Sequence, residues 1–469
     1  MIRSEQVTGA AARPAFILFA DPHKVGPYLT DLQVRDLTVL LVVGPSGPTL
    51  AQVAIAQMNT ASSPYPAVAE VEVREGRDIS GIVDQAMRWS REYDIVGVLV
   101  TAEIFVEPGA VVCDLLGLPQ VGLRAARVCR NKLLQRQYLH QWSPQSVLVT
   151  APTDGGSDRV FGERTAGRIA EQFNGAFPLV VKPLTLDASI GVRLIGSQTA
   201  LADALTDLQP AAELLVEQRV IGREYNVDTI VVAGEPLSTM ITQKGTNETD
   251  SEYFVELTHT TPPTNLREGE ARLIIDVQAA VIDRLDFETG MAHAEYRVTE
   301  DSEVFLMEIA ARAPGDACLP LYELATGQAV EPVLIDAALG RSTNYVFDAQ
   351  RRARQIYFEH APGVLRDVGI DWPEFANPRW LAETGGFWPL VRAADKQAPA
   401  ELRELLVLKS RGDRLLPLTE SSTRAVSAIF DAPLDFDIAL LDARVRNAVT
   451  IATDDAAGDG LRSTSPVAV

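Results

Sequence analysis

Residues 290–312 read GMAHAEYRVTEDSEVFLMEIAAR, in which polar and apolar side chains alternate along two short runs. Side chains of a strand point alternately to the two faces of a sheet, so this period of two predicts a β-hairpin. We place a two-residue turn at residues 301–302, which brings Glu295 opposite Glu308. The same register pairs His293 with Ala310 and Arg297 with Leu306.

The two faces of this predicted hairpin differ in chemistry. The polar face carries His293, Glu295, Arg297, Glu308 and Arg312. The other face is predicted to pack on the core and carries Ala294, Tyr296, Val298, Phe305, Met307 and Ile309. Because Asp-Ser is not the strongest pair for a type I′ turn, a register shifted by one residue is the alternative.

Two carboxylates that face each other, as Glu295 and Glu308 do in this register, repel unless a cation lies between them. Magnesium is the natural candidate, because it is a hard cation that prefers oxygen ligands and is usually shared with phosphate. The pattern therefore predicts a magnesium site on the hairpin. The alternative is the solvated face of an ordinary hairpin.

The composition of the 469-residue chain is acidic, with 42 basic and 63 acidic side chains and a formal net charge of −21. Nucleic-acid binding without sequence preference needs clustered Lys and Arg, so we expect neither a nucleic-acid partner nor an anionic membrane partner. No apolar run reaches the roughly 18 residues of a membrane-spanning helix. The N-terminus lacks the apolar core of a signal peptide. The three cysteines are far apart, as expected of buried thiols in a reducing cytoplasm.

Residues 14–127 are predicted to form an open parallel α/β domain. Short apolar runs followed by turn residues are typical of buried parallel strands, and such runs occur here at 16–20, 39–43 and 95–100. This part carries no GxGxxG motif, and no GxxxxGK motif occurs anywhere in the chain. We therefore interpret this domain as a scaffold on the substrate side.

Other segments have weaker patterns. Residues 1–13 and 454–469 carry few side chains that could join a core, so they are predicted to be disordered. Residues 246–268, which include His259, are predicted to form a polar loop. Residues 343–453 are predicted to form a distinct, small C-terminal α/β lobe.

Lysine is scarce, with six among the 42 basic residues, so a lysine on a predicted strand carries weight. Residues 178–196 read PLVVKPLTLDASIGVRLIG, which predicts two strands around the loop 183–191. A loop with Ser189 and Gly191 can surround phosphates with backbone N–H groups and a hydroxyl. Lys182, at the base of this loop, can reach a phosphate as a point charge. A plain hairpin is the alternative.

Two further strands are predicted at 214–217 and 224–232. The short connection between them can present backbone donors and acceptors to the edge of an adenine, and a carboxylate just beyond it can accept both hydroxyls of a ribose. Glu217 and Glu224 bracket this connection. The segment therefore indicates a nucleotide site beside the predicted phosphate loop.

Taken in order, these segments resemble the ATP-grasp superfamily. The matching segments are Lys132, VVKP with Ser189–Val192, VEQRVIGREYNVD, HAEYRV and MEIAAR. The match is most similar to the ATP-dependent carboxylate–amine ligases that join L-amino acids into dipeptides, and it covers residues 128–342. Each segment is loose by itself, and their common order makes the resemblance specific.

The resemblance implies an α/β (α+β) protein with the ATP-grasp fold. The open parallel N-terminal domain at 14–127 would precede a two-lobed ATP-binding region at 128–342, which includes a small lid subdomain at about 142–215. The small C-terminal lobe at 343–453 would follow.

The resemblance also implies roles for individual residues. Those expected to bind ATP are Lys132 and Lys182 at the phosphates, Ser189, Ile190 and Gly191 in the lid, Glu217, Gln218 and Val220 at the adenine, and Glu224 at the ribose. The expected ligands of Mg²⁺, or of Mn²⁺ in its place, are Glu295 and Glu308. The expected catalytic residues are Arg312, Lys182 and His293. The residues expected on the substrate side are Lys244, His259 and Arg312.

The implied reaction is ATP-dependent formation of an amide bond between small L-amino-acid-like substrates, through an acyl-phosphate, with release of ADP and phosphate. The expected partners are small carboxylate and amine substrates in the cytoplasm, with a homodimer as the alternative to a monomer. Many members carry an Asn, a further metal ligand, where this chain has Ala310, which leaves the number of metal ions open. The alternative functions are another ATP-grasp reaction, such as a carboxylase or a purine-pathway ligase, and a catalytically silent nucleotide-binding module.

Overall fold

The computed structural model describes residues 12–45, 55–56, 58, 60, 63–185, 189–249, 251–375 and 377–454. Within these ranges the chain forms four β-sheets with helices packed against them. The segments predicted to be disordered, 1–13 and 454–469, lie outside the described residues except for residues 12, 13 and 454. None of the helices in the described part of the chain has the length and apolarity needed to cross a lipid bilayer.

The helices and strands of these residues are numbered in chain order. The helices are α1 Gly26–Val34, α2 Ile79–Glu92, α3 Val106–Leu116, α4 Leu123–Cys129, α5 Lys132–Tyr138, α6 Arg159–Gln172, α7 Gln198–Ala204, α8 Glu270–Arg284, α9 Cys318–Thr326, α10 Glu331–Ala338 and α11 Ile438–Ala448. The strands are β1 Pro14–Phe19, β2 Thr38–Val43, β3 Val68–Val73, β4 Asp94–Val100, β5 Ser146–Thr150, β6 Leu179–Pro183, β7 Arg193–Ile195, β8 Glu213–Gln218, β9 Arg223–Val232, β10 Glu235–Thr246, β11 Glu256–Thr261, β12 Gly290–Val298, β13 Val304–Ala310, β14 Arg351–Tyr357, β15 Gly363–Ile370, β16 Arg379–Trp380, β17 Glu401–Val407, β18 Arg414–Leu415, β19 Val426–Pro433 and β20 Val449–Asp454.

The N-terminal sheet is parallel, with the strand order β3-β2-β1-β4, as predicted for an open α/β domain. β1 and β2 are apolar and buried over most of their length, because helices cover both faces of the sheet. Trp89 of α2 and Val112 of α3 pack on one face, and Leu29 of α1 and Leu334 of α10 pack on the other. Since α10 comes much later in the chain, this packing fixes the N-terminal sheet to the central part of the molecule.

The central sheet has nine strands in the order β13-β12-β9-β10-β11-β14-β19-β17-β16. One apolar face of its first strands is covered by Ile274 and Ile282 of α8. Strands β14, β16, β17 and β19, from the segment predicted as the C-terminal lobe, continue this sheet. The remaining strands of that segment form a three-stranded sheet, β18-β15-β20, beside it. The division of the chain into domains stays a prediction.

A four-stranded antiparallel sheet, ordered β5-β8-β6-β7, lies in the segment predicted as the lid subdomain. Ile169 of α6 and Leu201 of α7 pack on this sheet. α6 begins after Asp158, whose side chain accepts from the N–H of Phe161, as an N-cap residue does. β6 carries Lys182 near its end and so holds this lysine on a rigid element.

The hairpin of β12 and β13 confirms the two central pairs of the predicted register, Glu295 with Glu308 and His293 with Ala310. The predicted two-residue turn is wrong, because residues 299–303 connect the two strands. The N–H of Ser302 donates to the carbonyl of Thr299 and closes the turn earlier than predicted.

A β-bulge compensates for the different turn. The register shifts by one residue after Glu295, so Arg297 lies opposite Phe305 and not opposite Leu306 as predicted. Met307 is the extra residue on β13. The bulge keeps the two glutamates opposite each other although the turn differs from the prediction.

Helix α5 covers β13 at this bulge. Arg136 donates to the carbonyl of Met307 at 2.6 Å, and Gln135 bonds both main-chain groups of Ile309 at 3.1 Å. The prediction that Phe305 and Met307 face the core is wrong, because the bulge leaves both outside the hydrophobic cluster under the hairpin. Long-range bonds from α5, which a local pattern does not contain, stabilise this geometry.

Residues 246–268 are not one polar loop as predicted. Strand β11 lies within this segment and pairs with β10 and β14. Its sequence, ELTHTT, is rich in β-branched threonine, which fits a strand. The strand places His259 inside the central sheet, where it is 1% exposed.

The three cysteines, Cys113, Cys129 and Cys318, are buried and form no disulfide, which agrees with the sequence. Burial raises the pKa of the Cys113 thiol to about 12. A buried thiol with a raised pKa is a poor nucleophile, so these residues serve packing.

Candidate functional site

A cleft that is open to solvent lies between the small sheet and the hairpin of the central sheet. The predicted site residues that line it are Lys132, Lys182, Ser189, Glu217, Gln218, Val220, Glu224, Lys244, His293, Glu295, Glu308 and Arg312. Three predicted site residues, Ile190, Gly191 and His259, are not part of this lining. The structure thus brings most of the predicted residues, which come from distant parts of the chain, around one space.

Glu308 of the hairpin pairs with Lys132 in this cleft. The lysine Nζ lies 2.9 Å from the glutamate Oε1. Lys132 is the first residue of α5, and the N-cap Asn131 fixes where this helix begins. Burial disfavours the ionised carboxylate, but Lys132, Lys182 and Arg136 outweigh it and lower the pKa of Glu308 to about 2. Glu308 is therefore a carboxylate throughout the neutral pH range.

Lys244 of β10 is the centre of an acidic cluster on the same wall. Its Nζ lies 2.9 Å from Glu224, 2.7 Å from Glu256 and 2.9 Å from Glu295. Burial lowers the pKa of Lys244, but the three carboxylates outweigh it and raise this pKa well above its ordinary value. Burial raises the pKa of Glu295, with Lys244 opposing it and Glu256 adding to it. The sequence did not predict Glu256, because the segment around it was interpreted as a loop.

Lys182, Glu217 and Arg136 form a buried group of charges at the base of the cleft. The Lys182 Nζ and the Arg136 Nε each lie 2.5 Å from a carboxylate oxygen of Glu217. Burial and the nearby Arg136 lower the pKa of Lys182 to about 8, although Glu217 opposes them. The side chain of Glu217 therefore positions the predicted phosphate-binding lysine, a role that the sequence did not predict.

The segment predicted to contact adenine is held at both ends. Glu217 lies inside β8, which pairs with β5 and β6 on its two sides. The N–H of Gln218 donates to the carbonyl of Gln145 at 2.9 Å, and the carbonyl of Val220 accepts from Arg297 at 2.9 Å. The contact of this segment with adenine stays a prediction.

Glu224, the residue predicted at the ribose, lies at the same side of the cleft. Its carboxylate accepts from the Nε of Arg297 at 2.8 Å, and Arg297 also reaches Glu248 at 3.0 Å. Burial opposes ionisation, but Lys244 and Arg297 lower the pKa of Glu224 to about 2. A carboxylate is thus available at this position, and its ribose contact stays a prediction.

The predicted lid loop has its described end next to the cleft. The hydroxyl of Ser189 donates to the carbonyl of Phe254 at 3.0 Å. Gly191 has a φ of 71°, and a Cβ atom there would lie 2.9 Å from the Cγ of Pro183, so the position favours glycine. Residues 186–188 of the predicted loop lie outside the described residues.

His293 forms a dyad with Asp228, which the sequence analysis did not single out. The His293 Nδ1 lies 2.8 Å from a carboxylate oxygen of Asp228, and the hydroxyl of Tyr322 donates to the other oxygen. Burial lowers the pKa of His293, but Asp228 outweighs it, so the net shift is upward. The alternation of Glu224, Asn226 and Asp228 along β9 is the sequence signal that could have revealed this polar face.

Arg312 lies just after β13 and contacts the N-terminal part of the chain. Its Nε donates to Glu103 at 2.6 Å, and Arg130 donates to the other oxygen of Glu103 at 2.7 Å. Burial opposes ionisation of Glu103, but the two arginines lower its pKa. Glu103 was not predicted, since it lies 209 positions from Arg312.

A second cavity begins where the cleft reaches Arg312, which lines both spaces. It lies between the N-terminal sheet, the segment after β13 and the loop with Trp388. Tyr28 and Glu103 line it from the N-terminal side, and Glu331 lines it from α10. Arg312 is therefore a residue that the two spaces share.

His259 lies outside the lining of both cavities, so the predicted contact with a substrate is not supported by its position. Its Nε2 lies 2.9 Å from Asp316, which does line the second cavity. His259, Asp316 and Glu256 could together offer ligand atoms to a metal ion, since these atoms lie within 4.8 Å of one another. However, Arg424 donates to both oxygens of Asp316, and Lys244 pairs with Glu256. Cations of the protein therefore already balance these carboxylates.

Comparison with known proteins agrees with this geometry. A family model described as an ATP-grasp domain matches residues 175–321. The uncharacterized protein y4rH of Sinorhizobium fredii is 27% identical over 352 residues, which cover 71% of this chain and 68% of that protein. The alanine–anticapsin ligase of Bacillus subtilis is 24% identical over 285 residues, which cover 54% of this chain and 56% of the ligase. The crystal structure of an L-amino acid ligase from Bacillus licheniformis matches with a TM-score of 0.70 and 18% identity, over 95% of this chain and 100% of that one.

These matches confirm the resemblance that the sequence motifs indicated. The chain contains an ATP-grasp domain, and its α+β architecture is the fold of that L-amino acid ligase. The match spans 56% of the alanine–anticapsin ligase, little more than half of its length. The reaction and the substrates therefore rest on the chemistry of the site.

Proposed function

We propose that this chain, a member of the ATP-grasp superfamily, is an ATP-dependent ligase that joins the carboxylate of one small amino-acid-like substrate to the amine of another. The main support is that two lysines, two facing glutamates and an arginine line one cleft, namely Lys132, Lys182, Glu295, Glu308 and Arg312. Arg312 also lines the second cavity. The first space suits a nucleotide triphosphate, and the second suits the substrates that react with it.

The lysines are the groups proposed to hold the phosphates of ATP. Lys132 pairs with Glu308, and Lys182 pairs with Glu217, so each ammonium group is fixed near the hairpin. Phosphate binding at a lysine is a point-charge interaction that needs proximity and little angular precision. Both lysines come from rigid elements, α5 and β6, which limits the entropy lost on binding.

Glu295 and Glu308 offer the carboxylate oxygens that magnesium prefers, and each is paired with a lysine in this structure, Glu295 with Lys244 and Glu308 with Lys132. Both are carboxylates that line the cleft, and they occupy directly paired positions on β12 and β13. Magnesium would neutralise charge on the β- and γ-phosphates there, and Mn²⁺ could replace it. Ala310 lines the same cleft and offers no ligand atom, so these two carboxylates would be the protein ligands on the hairpin.

The proposed chemistry has two steps with balanced bonds. A carboxylate oxygen of the first substrate attacks the γ-phosphorus of ATP, which forms an acyl-phosphate and releases ADP. The amine of the second substrate then attacks the acyl carbon, the C–O bond to phosphate breaks, and the amine loses a proton. Arg312, at the junction of the two spaces, is placed to stabilise the charge that develops on the acyl oxygen. His293, oriented by Asp228, is the proposed acceptor of the proton.

The test of this function is ADP release over pairs of amino acids, with the products identified by mass spectrometry. We expect release that requires both a carboxylate substrate and an amine substrate, with a product that has lost one water relative to the pair. ADP release that instead depends on bicarbonate would identify a carboxylase. Calorimetric ATP binding without ADP formation over the whole panel would identify a silent nucleotide-binding module.

The pKa of Lys182 gives a first prediction, for the pH dependence of nucleotide binding. Only the ammonium form attracts phosphate, and the pKa of Lys182 is lowered to about 8. The affinity for ADP should therefore fall as pH rises above 8, by up to about tenfold per pH unit, with proton uptake on binding. Calorimetry between pH 7 and pH 9.5 in two buffers of different ionisation enthalpy measures both quantities.

The control for this prediction is Lys182→Met, which should bind ADP more weakly and with little pH dependence over the same range. The same pH dependence in this variant would assign the titration to another group and would contradict the role of Lys182.

A further inference from the structure

Glu331 is a buried carboxyl group in the second cavity that the proposed chemistry does not use. It is the first residue of α10, is 6% exposed, and lines the cavity together with Tyr28 and Trp388. None of the ion pairs among the described residues includes it. Main-chain N–H groups of Val330 and Glu331 donate to this carboxyl group, but it has no basic partner. A buried carboxyl group without a basic partner is costly to ionise, so a cation that reached it would be bound favourably.

The other buried carboxylates of this cavity are already balanced. Glu103 pairs with Arg312, and Asp316 pairs with Arg424. The groups around Glu331 are acidic instead, because Glu323 lies near it. Burial raises the pKa of Glu331 to about 7, with a smaller contribution from Glu323, while hydrogen bonds from the main-chain N–H groups of Glu331 and Val330 oppose the shift. Among the described residues, Glu331 is therefore the one buried carboxyl group of this cavity that has no ion pair. A cation that entered the cavity would meet it.

Another part of the cavity wall already accommodates a cation. The Nζ of Lys24 lies 4.9 Å from the centre of the Trp388 ring, and both residues line the cavity. Asp21 also lines the cavity, and its side chain is exposed. It is a second acidic group that forms no ion pair among the described residues. Among the groups of this lining that form no ion pair in the described structure, the carboxyl groups of Asp21 and Glu331 outnumber the ammonium group of Lys24. This excess of acidic groups favours a ligand with a positive group.

We propose that the second cavity selects an amino-acid substrate with a positively charged side chain, an amine or a guanidinium, and that Glu331 binds this charge. The proposal rests on the proposed ligase function and specifies one of its substrates. Arg312 lines the same cavity, so one substrate would contact the reacting groups at Arg312 and also Glu331. A neutral substrate would leave the carboxyl group buried and without a cationic partner, which is the physical basis of the selection.

The test uses pairs of amino acids of similar shape and different charge. L-Arginine is compared with L-citrulline, and L-lysine with L-norleucine, for binding to the full-length protein by calorimetry in the presence of ADP and magnesium. We expect the basic member of at least one pair to bind at least about 10-fold more tightly than its neutral counterpart. The same preference is expected in kcat/KM when ADP release is measured with a common second substrate.

The decisive variant is Glu331→Gln, which keeps the size of the side chain and an oxygen that can accept from the first N–H groups of α10. It should reduce the preference for the basic member at least about 10-fold, while the neutral member is little affected. The matched control is Glu323→Gln, which neutralises a nearby carboxyl group that does not line the cavity, and this variant should still prefer the basic member. Melting temperatures of both variants identify any general loss of fold.

Two results would overturn the proposal: wild-type affinity that is no higher for the basic than for the neutral members, or a preference that Glu331→Gln leaves intact. Failure of the ligase function is separate from these results. Binding of a basic amino acid that depends on Glu331, without ADP release from any pair, would retain the cavity assignment and reject the ligase reaction.

Discussion

Replacement of Glu308 by Gln is expected to reduce kcat by more than roughly 10- to 100-fold. Removal of a group that only supports a metal ligand causes a loss of that size, and Glu308 is itself a proposed ligand. Of the two proposed metal ligands, Glu308 has a pKa that is lowered, to about 2, whereas the pKa of Glu295 is raised, so Glu308 carries full charge at neutral pH. The glutamine keeps a carbonyl oxygen for Lys132, which is 2.9 Å from Glu308 in the wild type. We therefore expect the fold to survive while turnover is lost. The measurement is ADP release over a magnesium series, together with the melting temperature.

The matched control is Glu303→Gln, which makes the same change in charge on the same hairpin. Glu303 is exposed and does not line the cleft, so its variant should keep wild-type turnover. Near-wild-type activity of the Glu308 variant at low magnesium would remove this residue from the proposed metal site.

Replacement of Arg312 by Ala is the second change with a large expected effect, a loss of about 100-fold or more in kcat on the scale of an oxyanion donor. Only interactions that are stronger in the transition state than in the ground state accelerate the chemical step. ATP affinity should change much less, in contrast to Lys182→Ala, which should weaken ATP binding itself. Arg312→Lys should restore little, because a point charge does not reproduce the planar fork of the guanidinium.

The competing explanation is that Arg312 only fixes the N-terminal sheet to the hairpin through Glu103. Arg130→Ala is the control, because Arg130 is the other partner of Glu103 and lines neither cavity. A purely structural role predicts that both variants lose thermal stability and activity together. The proposed role predicts that Arg312→Ala loses kcat far beyond any change that Arg130→Ala causes.

The sequence was sufficient for features that depend on local periodicity. The period of two along residues 290–312 placed Glu295 opposite Glu308 correctly. The apolar runs of the N-terminal part predicted the parallel sheet. In both cases the pattern follows from which faces are buried, and this information is present in neighbouring residues.

The sequence was insufficient where distant elements decide the structure. The bulge at Met307 depends on a hydrogen bond from Arg136 of α5, 171 positions away. The partners Asp228, Glu256 and Glu103 enter the site through strand pairing and domain contacts that a single segment does not encode. The environment of His259 is mispredicted for a different reason, because a local signal is misread. The polar character of its segment predicts a loop, although the threonines around His259 favour a strand.

In the proposed reaction, ATP activates a carboxylate as an acyl-phosphate before an amine attacks it. The transfer of oxygen from the carboxylate to phosphate distinguishes this route from others. Amino-acid substrates labelled with ¹⁸O in the carboxylate are incubated with ATP and the enzyme, and the released phosphate is analysed by mass spectrometry. We expect one ¹⁸O atom in each phosphate, because a carboxylate oxygen becomes the bridge to phosphorus and leaves with it. Phosphate that contains no label, formed at the same rate as ADP, would contradict it.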